Sequence, residues 1–283
     1  MSELDPRRRN RITSSTAADC LGKGRWGDPF TAWDQIVNQP ESETTPAQER
    51  GNYLEEPCIR WGCRHLGLDI LDIKHPGFRP HEDWLGSSID AMYHEHPTGK
   101  LLCGVEAKTA GPRMMEGWGE PGSDNVPRDV YIQCCVHLAC WPELTKIAVP
   151  MLGGWDLTFS MYWVHRDDAL IADVLGRLRK FYDRYIVTGV EPPAGDKSKG
   201  ALDRMFPHGL EGEILAPTSD LEKLARSYNE IRGTAKAATA DKTEAANLLR
   251  QAMGDHTDCN GDGWSISWRS GKRGRTLRVA VKG

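Results

Sequence analysis

The chain has 283 residues, 39% of them hydrophobic and 27% charged, with a formal net charge of −4. That composition excludes a disordered polymer, and no stretch reaches the roughly 18 apolar residues of a membrane span. Residues Met1 to Arg11 are polar and charged, which argues against a secretory leader and places the expected site of action in the cytoplasm.

Taken in chain order, Thr13 to Gly22 reads as a short capped helix ended by glycine. Pro46 to Leu66 carries Leu54, Cys58, Trp61 and His65 at helical spacing, which predicts a longer helix buried along that stripe, with Glu55 at its edge. A strand is expected around Ser88–Met92. Lys100 to Thr109 alternates as a strand does, with Glu106 and Lys108 on one side of it. Residues 110–127, rich in glycine and proline, read as a loop. Asp129 to Trp141 reads as an apolar helix, and Lys146–Leu152 with Leu157–Val164 as two strands joined at Gly153-Gly154. Asp167 to Thr188 is expected to form an amphipathic helix.

From Glu191 to Pro217 the composition is that of a linker. Ser219 to Met253 reads as a long helix, and Trp264–Trp268 with Thr276–Val281 as a closing hairpin. The division is therefore a core of residues 1–200 and an extension of residues 201–283.

The cysteines, at 20, 58, 63, 103, 134, 135, 140 and 259, form no C-x-x-C pair, so zinc-ribbon and thioredoxin-type chemistry is not indicated and reduced thiols are expected. Positive charge gathers at the two ends. Arg7, Arg8, Arg9 and Arg11 open the chain, and from Arg269 onward there are basic residues and no acidic ones, a distribution that suits a partner rich in phosphate.

The chemistry concentrates in Ser88-Ile89-Asp90 and Glu106-Ala107-Lys108. A strand antiparallel to the one bearing Glu106 and Lys108 can bring Asp90 opposite them. Two carboxylates so placed bind a hard divalent cation, Mg²⁺ above all. A lysine beside them can hold the attacking water and offset charge on a phosphorane. A buried strand does not carry Glu and Lys unless they are paired or functional.

Taken together, Arg8 to Ser15, Gly51-Asn-Tyr-Leu-Glu55, Ser88-Ile-Asp90, Glu106-Ala-Lys108 and Tyr131-Ile-Gln133 resemble, in order and spacing over residues 8–190, the YqaJ-like viral recombinase family. This is the lambda exonuclease type within the PD-(D/E)xK nucleases. The resemblance implies an α/β fold with a restriction-endonuclease-like core, a mixed central sheet flanked by helices, here followed by a helical extension ending in a β-hairpin. It implies Asp90, Glu106 and the backbone carbonyl of Ala107 as metal ligands, Lys108 as the residue that positions water, Glu55 reaching the metal and Gln133 contacting the site. It leaves Glu55 and Glu56 as alternatives. It implies a pocket of Arg8, Ser15 and Ser88 for a 5′-phosphate.

The implied activity is Mg²⁺-dependent 5′-to-3′ digestion of one strand of linear duplex DNA, with Mn²⁺ as a substitute. The 3′ overhangs would serve a single-strand annealing protein in phage-type recombination. A homotrimer and a bacterial host cytoplasm, as for a phage or prophage product, are part of the same expectation. A structure- or sequence-selective endonuclease on the same site, and a non-catalytic DNA-binding scaffold, are the alternatives. The family's second glutamine after Gln133 is replaced here by Cys135.

Elsewhere, Asp258-Cys-Asn-Gly-Asp-Gly263 begins like a calcium loop but has Arg269 where a glutamate is needed, so a hairpin turn is expected. His75, His81, His94 and His96 are read as surface residues and His137 as a core residue. The tryptophans are expected mostly in the core, and Met114, Met115 and Trp118 either fold back onto it or form an apolar wedge for a terminal base pair.

Overall fold

A computed structural model describes residues 6–40, 44–208, 217–253, 255–271 and 274–281. The chain divides into two compact units, residues 1–209 and 210–283. In the first, strand β1 (Ile12–Thr13) leads into helix α1 (Ser14–Cys20), followed by α2 (Pro29–Val37) and α3 (Pro46–His65). Strands β2 (Ile73–Lys74), β3 (Gly77–His81), β4 (Leu85–Ile89), β5 (Ala91–Glu95), β6 (Lys100–Val105) and β7 (Lys108–Ala110) come next. Then follow α4 (Arg128–Cys140), β8 (Lys146–Gly153), β9 (Thr158–His165), α5 (Asp168–Phe181) and α6 (Lys199–Met205).

The principal sheet is mixed. β5 pairs antiparallel with β2 and β6, the line formed by β6 and β7 runs parallel to β8, and β9 closes antiparallel to β8. A smaller sheet has β4 between β1 and β3. Between β4 and β5 the chain passes from one sheet to the other at a single residue, Asp90.

Helices cover both faces of the principal sheet. Ile59 and Cys63 of α3 join Tyr93, Val105 and Ala148 in one apolar cluster; α1, α2, α4 and α5 supply the other, with Ile147, Val149 and Met151 of β8. This is a mixed α/β architecture, a central mixed sheet flanked by helices. The buried residues of α3 are Cys58, Ile59, Gly62 and Cys63, a face rotated from the expected Leu54–Cys58–Trp61–His65 stripe. Gly62 sets the rotation, since a Cβ there would stand 2.5 Å from the Tyr93 hydroxyl, so only this face lets helix and sheet approach. Trp61 lies outside, stacked on Phe159 at 5.3 Å.

Two further expectations change. Helix α2 was not foreseen, although Asp28, Pro29 and Thr31 make a capping box with proline in the first turn. Residues 191–208 are no linker. Asp28 Oδ2 accepts from the Ser198 hydroxyl at 2.7 Å and the Lys197 amide at 3.1 Å, and Arg204 pairs with the buried Asp34 at 2.9 Å. These contacts dock α6 on α2. Of the tryptophans, Trp33, Trp84 and Trp141 are in the core, while Trp26, Trp61 and Trp155 are exposed. The described cysteines are free, and all but Cys259 are buried.

Asp19 stands in the last turn of α1. Its carboxylate fills the space beside Gly24 and Gly27, where any Cβ would collide with it. Burial pushes Asp19 up to about 6, against the lowering pull of the Gly27 amide and Lys197. A carboxyl with a raised folded pKa binds more protons folded than unfolded, so it costs stability as pH rises from about 4 to 6. Asp19→Asn is expected to flatten that segment of the stability–pH curve, raising stability at pH 7 by about 1–2 kcal/mol; urea melts at pH 4.5 and 7 measure it.

The second unit contains α7 (Ser219–Met253) and an antiparallel sheet of β10 (Asp258–Gly261), β11 (Trp264–Gly271) and β12 (Gly274–Val281). The Asp258–Gly263 motif supplies β10 and, at Asp262-Gly263, the turn into β11, with Gly263 at φ +74°. Among the described residues no helix is long and apolar enough to cross a membrane.

Candidate active site

The site forms where both sheets break. β6 ends at Val105 and β7 starts at Lys108, and both keep one register against β8: Val105 lies opposite Ala148, and Lys108 opposite Met151. Pro150 of β8 stands opposite this gap and has no N–H to donate. Glu106 and Ala107 thus sit in an interruption of the ladder. Antiparallel pairing of Ala91 with Val105 sets Asp90 beside them, and Asp90 Oδ2 accepts the Ala107 amide at 2.8 Å.

Glu106 is 2% exposed, and both its oxygens are engaged. Oε1 accepts from the Lys108 ammonium and, at 2.6 Å, from the Gln133 amide; Oε2 meets His137 Nε2 at 2.7 Å. Gln133 and His137 are one turn apart on α4, so a single helix face presents both to one carboxylate. His137 is fully buried, and its Nδ1 lies 2.5 Å from the Ser87 hydroxyl of β4.

The electrostatics separate the acids. Burial alone would raise Glu106, but Lys108 and His137 outweigh it and hold the carboxyl down at about 2. Asp90 goes the other way: burial first, then the charges of Glu106 and Glu55, push it up to about 8 despite Lys108 and the Ala107 amide. Glu55 is raised by burial and by Glu106. Lys108 would be lowered by burial, but the charges of Glu106 and Asp90 hold it above its ordinary value. It is therefore an ammonium at neutral pH, able to donate and unable to accept.

Three mutually repelling carboxylates around one lysine are short of positive charge, which a divalent cation would supply. Their oxygens are the hard donors that Mg²⁺ or Mn²⁺ takes. Among the described residues no three His, Cys, Asp or Glu side chains are grouped so that they could hold a metal ion. An ion here would be held mainly by Asp90 and Glu106, with water and substrate oxygens filling its other positions.

Glu55 is in electrostatic contact with this cluster. Its neighbour Glu56 instead pairs with Arg60 at 2.5 Å and with His75 Nε2 at 3.4 Å. The three residues expected to meet a 5′-phosphate are less tightly gathered. β1 runs parallel to β4 with Thr13 opposite Gly86, which brings the start of α1, with exposed Ser15, toward half-buried Ser88. Arg8 lies in a helical turn (Pro6–Arg8) whose Arg7 guanidinium is 5.7 Å from the ring of Phe78, the cross-strand partner of Ser88.

Met114, Met115 and Trp118 fold back on the core, with the Trp118 ring 4.8 Å from Tyr162. Trp118→Ala is accordingly expected to cost about 3 kcal/mol of stability, checked by chemical denaturation.

The model of the YqaJ-like viral recombinase domain matches residues 5–146, half of the chain and all of the Asp90–Glu106–Lys108 cluster. The chain belongs to the YqaJ-like viral recombinase family. It is a nuclease of that family. Solved structures similar to it include an alkaline exonuclease from Laribacter hongkongensis, 18% identical, with 69% of this chain and 95% of that one covered at a TM-score of 0.49. A phage-related exonuclease from Haemophilus somnus 129PT is 14% identical, over 64% of this chain and 96% of that one, with a TM-score of 0.46. No curated protein matches the chain.

Within this YqaJ-like site, sequence reasoning passed over Ser87 and read His137 as core. The signal for His137 was its place one turn after Gln133 on α4.

Proposed function

We propose that the chain is a divalent-metal-dependent exonuclease that digests one strand of linear duplex DNA from its 5′ end. The observation that carries this reading is the meeting of Asp90, Glu106 and Lys108 where both sheets break. Asp90, Glu106 and the carbonyl of Ala107 would hold the metal, Mg²⁺ by preference with Mn²⁺ as substitute, and Glu55 would approach it from α3. The ion supplies charge stabilisation at the scissile phosphate and a lowered pKa for water. Lys108, a fixed cation, holds and aims the attacking water and offsets the charge that grows on the phosphorane. Gln133 holds Glu106 from α4. Arg8, Ser15 and Ser88 would receive the terminal 5′-phosphate through charge-assisted hydrogen bonds and so set the polarity.

The 3′ overhangs left behind suit a single-strand annealing partner in phage-type recombination, in the cytoplasm of a bacterial host. A homotrimer is the assembly the family resemblance implies. Residues 1–200 would carry the nuclease and residues 201–283 an accessory function.

The test is digestion of linear duplexes that differ only in the 5′ end, phosphate or hydroxyl, with each strand labelled separately. Loss of the 5′-phosphorylated strand at a rate at least tenfold above the 5′-hydroxyl one is expected. Equal rates would remove the phosphate pocket, and 3′-first loss would reverse the polarity.

A further inference from the structure

We propose that His137, supported by Ser87, is the positioning residue that keeps Glu106 in its metal-binding orientation. The proposal rests on the reading of Glu106 as a metal ligand. Glu106 Oε2 accepts from His137 Nε2 at 2.7 Å, and the other ring nitrogen lies 2.5 Å from the Ser87 hydroxyl. All three residues are buried, at 2%, 0% and 0% exposure.

A carboxylate only accepts, so Nε2 must carry a proton. The other ring nitrogen, Nδ1, hydrogen-bonds the Ser87 hydroxyl, and the two bonds together fix the ring plane. Ser87 comes from β4, His137 from α4 and Glu106 from the break after β6. The relay thus ties the smaller sheet, the covering helix and the site into one rigid line, with no water needed to satisfy it.

The arrangement leaves Glu106 little rotational freedom. Lys108 and Gln133 share Oε1, and on the Lys108 side the partner is the residue meant to face the substrate. His137 holds the opposite oxygen and is itself fully buried. It acts through Glu106, as partners one bond behind a metal ligand do, where their loss costs about 10–100-fold in metal affinity or activity.

The experiment compares His137→Leu, His137→Gln, Ser87→Ala and a Glu106→Ala control. Mn²⁺ binding to the DNA-free protein is measured by calorimetry, together with kcat, KM for duplex ends, and Tm. Gln can return a donor at the position of Nε2; Leu cannot.

His137→Leu is expected to weaken Mn²⁺ binding at least tenfold and to lower kcat, with KM for DNA within about twofold of wild type. His137→Gln should recover most of the Mn²⁺ affinity, and Ser87→Ala should shift it in the same direction by less. Wild-type Mn²⁺ binding in His137→Leu overturns the proposal. So does a loss that His137→Gln shares in full while its Tm matches wild type, because the donor would then be irrelevant. If Glu106→Ala binds Mn²⁺ as wild type does, the ligand reading beneath the proposal fails instead. Mn²⁺ binding that follows the expected order without any cutting of DNA ends would count against the proposed exonuclease and leave the role of His137 standing.

Discussion

Replacing Lys108 by alanine is expected to lower kcat by about 10³-fold or more while DNA binding stays within about threefold of wild type. The ammonium is held protonated by Glu106 and Asp90, so its contribution is donation and charge, both greatest when the phosphorane forms. An interaction realised mainly in the transition state is lost from kcat and not from binding. Lys108→Arg should not restore the rate, because a planar guanidinium cannot occupy the point position of an ammonium between Glu106 and the water. Fluorescence anisotropy with labelled duplex, beside single-turnover digestion, separates the two effects. Parallel loss of binding and cleavage would make Lys108 a substrate-binding residue instead.

Asp90→Asn is expected to remove cleavage to a similar extent and, at the same time, to make the metal-free protein more stable. Asp90 is raised to about 8 by burial and by the charges of Glu106 and Glu55. Its folded pKa therefore lies above its unfolded value, and the group costs stability progressively as pH climbs from about 4 toward 8. An amide is the neutral isostere and escapes that cost, so at pH 8 the variant should gain on the order of 1–2 kcal/mol in the absence of divalent cations. Added Mg²⁺ should raise the Tm of the wild type and leave that of Asp90→Asn unmoved, since binding to the folded state alone stabilises by mass action. This opposition of stability and activity is what a cluster of like charges built for a cation implies. Calorimetric scans with EDTA and with Mg²⁺ test it, and a less stable metal-free variant would contradict the repulsion account.

What could be read from the residues was local. Asp90 and the Glu106–Lys108 pair were legible because two-residue spacing on a strand puts side chains on one side, and the charges stood among apolar neighbours. The break at Glu106–Ala107 was not legible, since it depends on Pro150 in a strand that pairs only in three dimensions. The stretch 191–208 looked like a linker because its prolines and glycines match one. What orders it is Asp28, whose partners Lys197 and Ser198 lie 169 and 170 residues away, and composition carries no trace of that. His137 looked like one more core residue for the same reason: its carboxylate partner is 31 residues earlier in the chain. The rotated face of α3 followed from a close approach at Gly62, which hydrophobic periodicity does not weigh.

The most direct measurement is digestion of one duplex in two forms, linear and covalently closed circular, with Mg²⁺ and with EDTA. Steady shortening of the linear form from its ends, an intact circle, and complete arrest in EDTA are the predicted result. Cutting of the circle would contradict end-dependent hydrolysis and make the enzyme an endonuclease, and digestion that persists in EDTA would contradict a metal at Asp90 and Glu106.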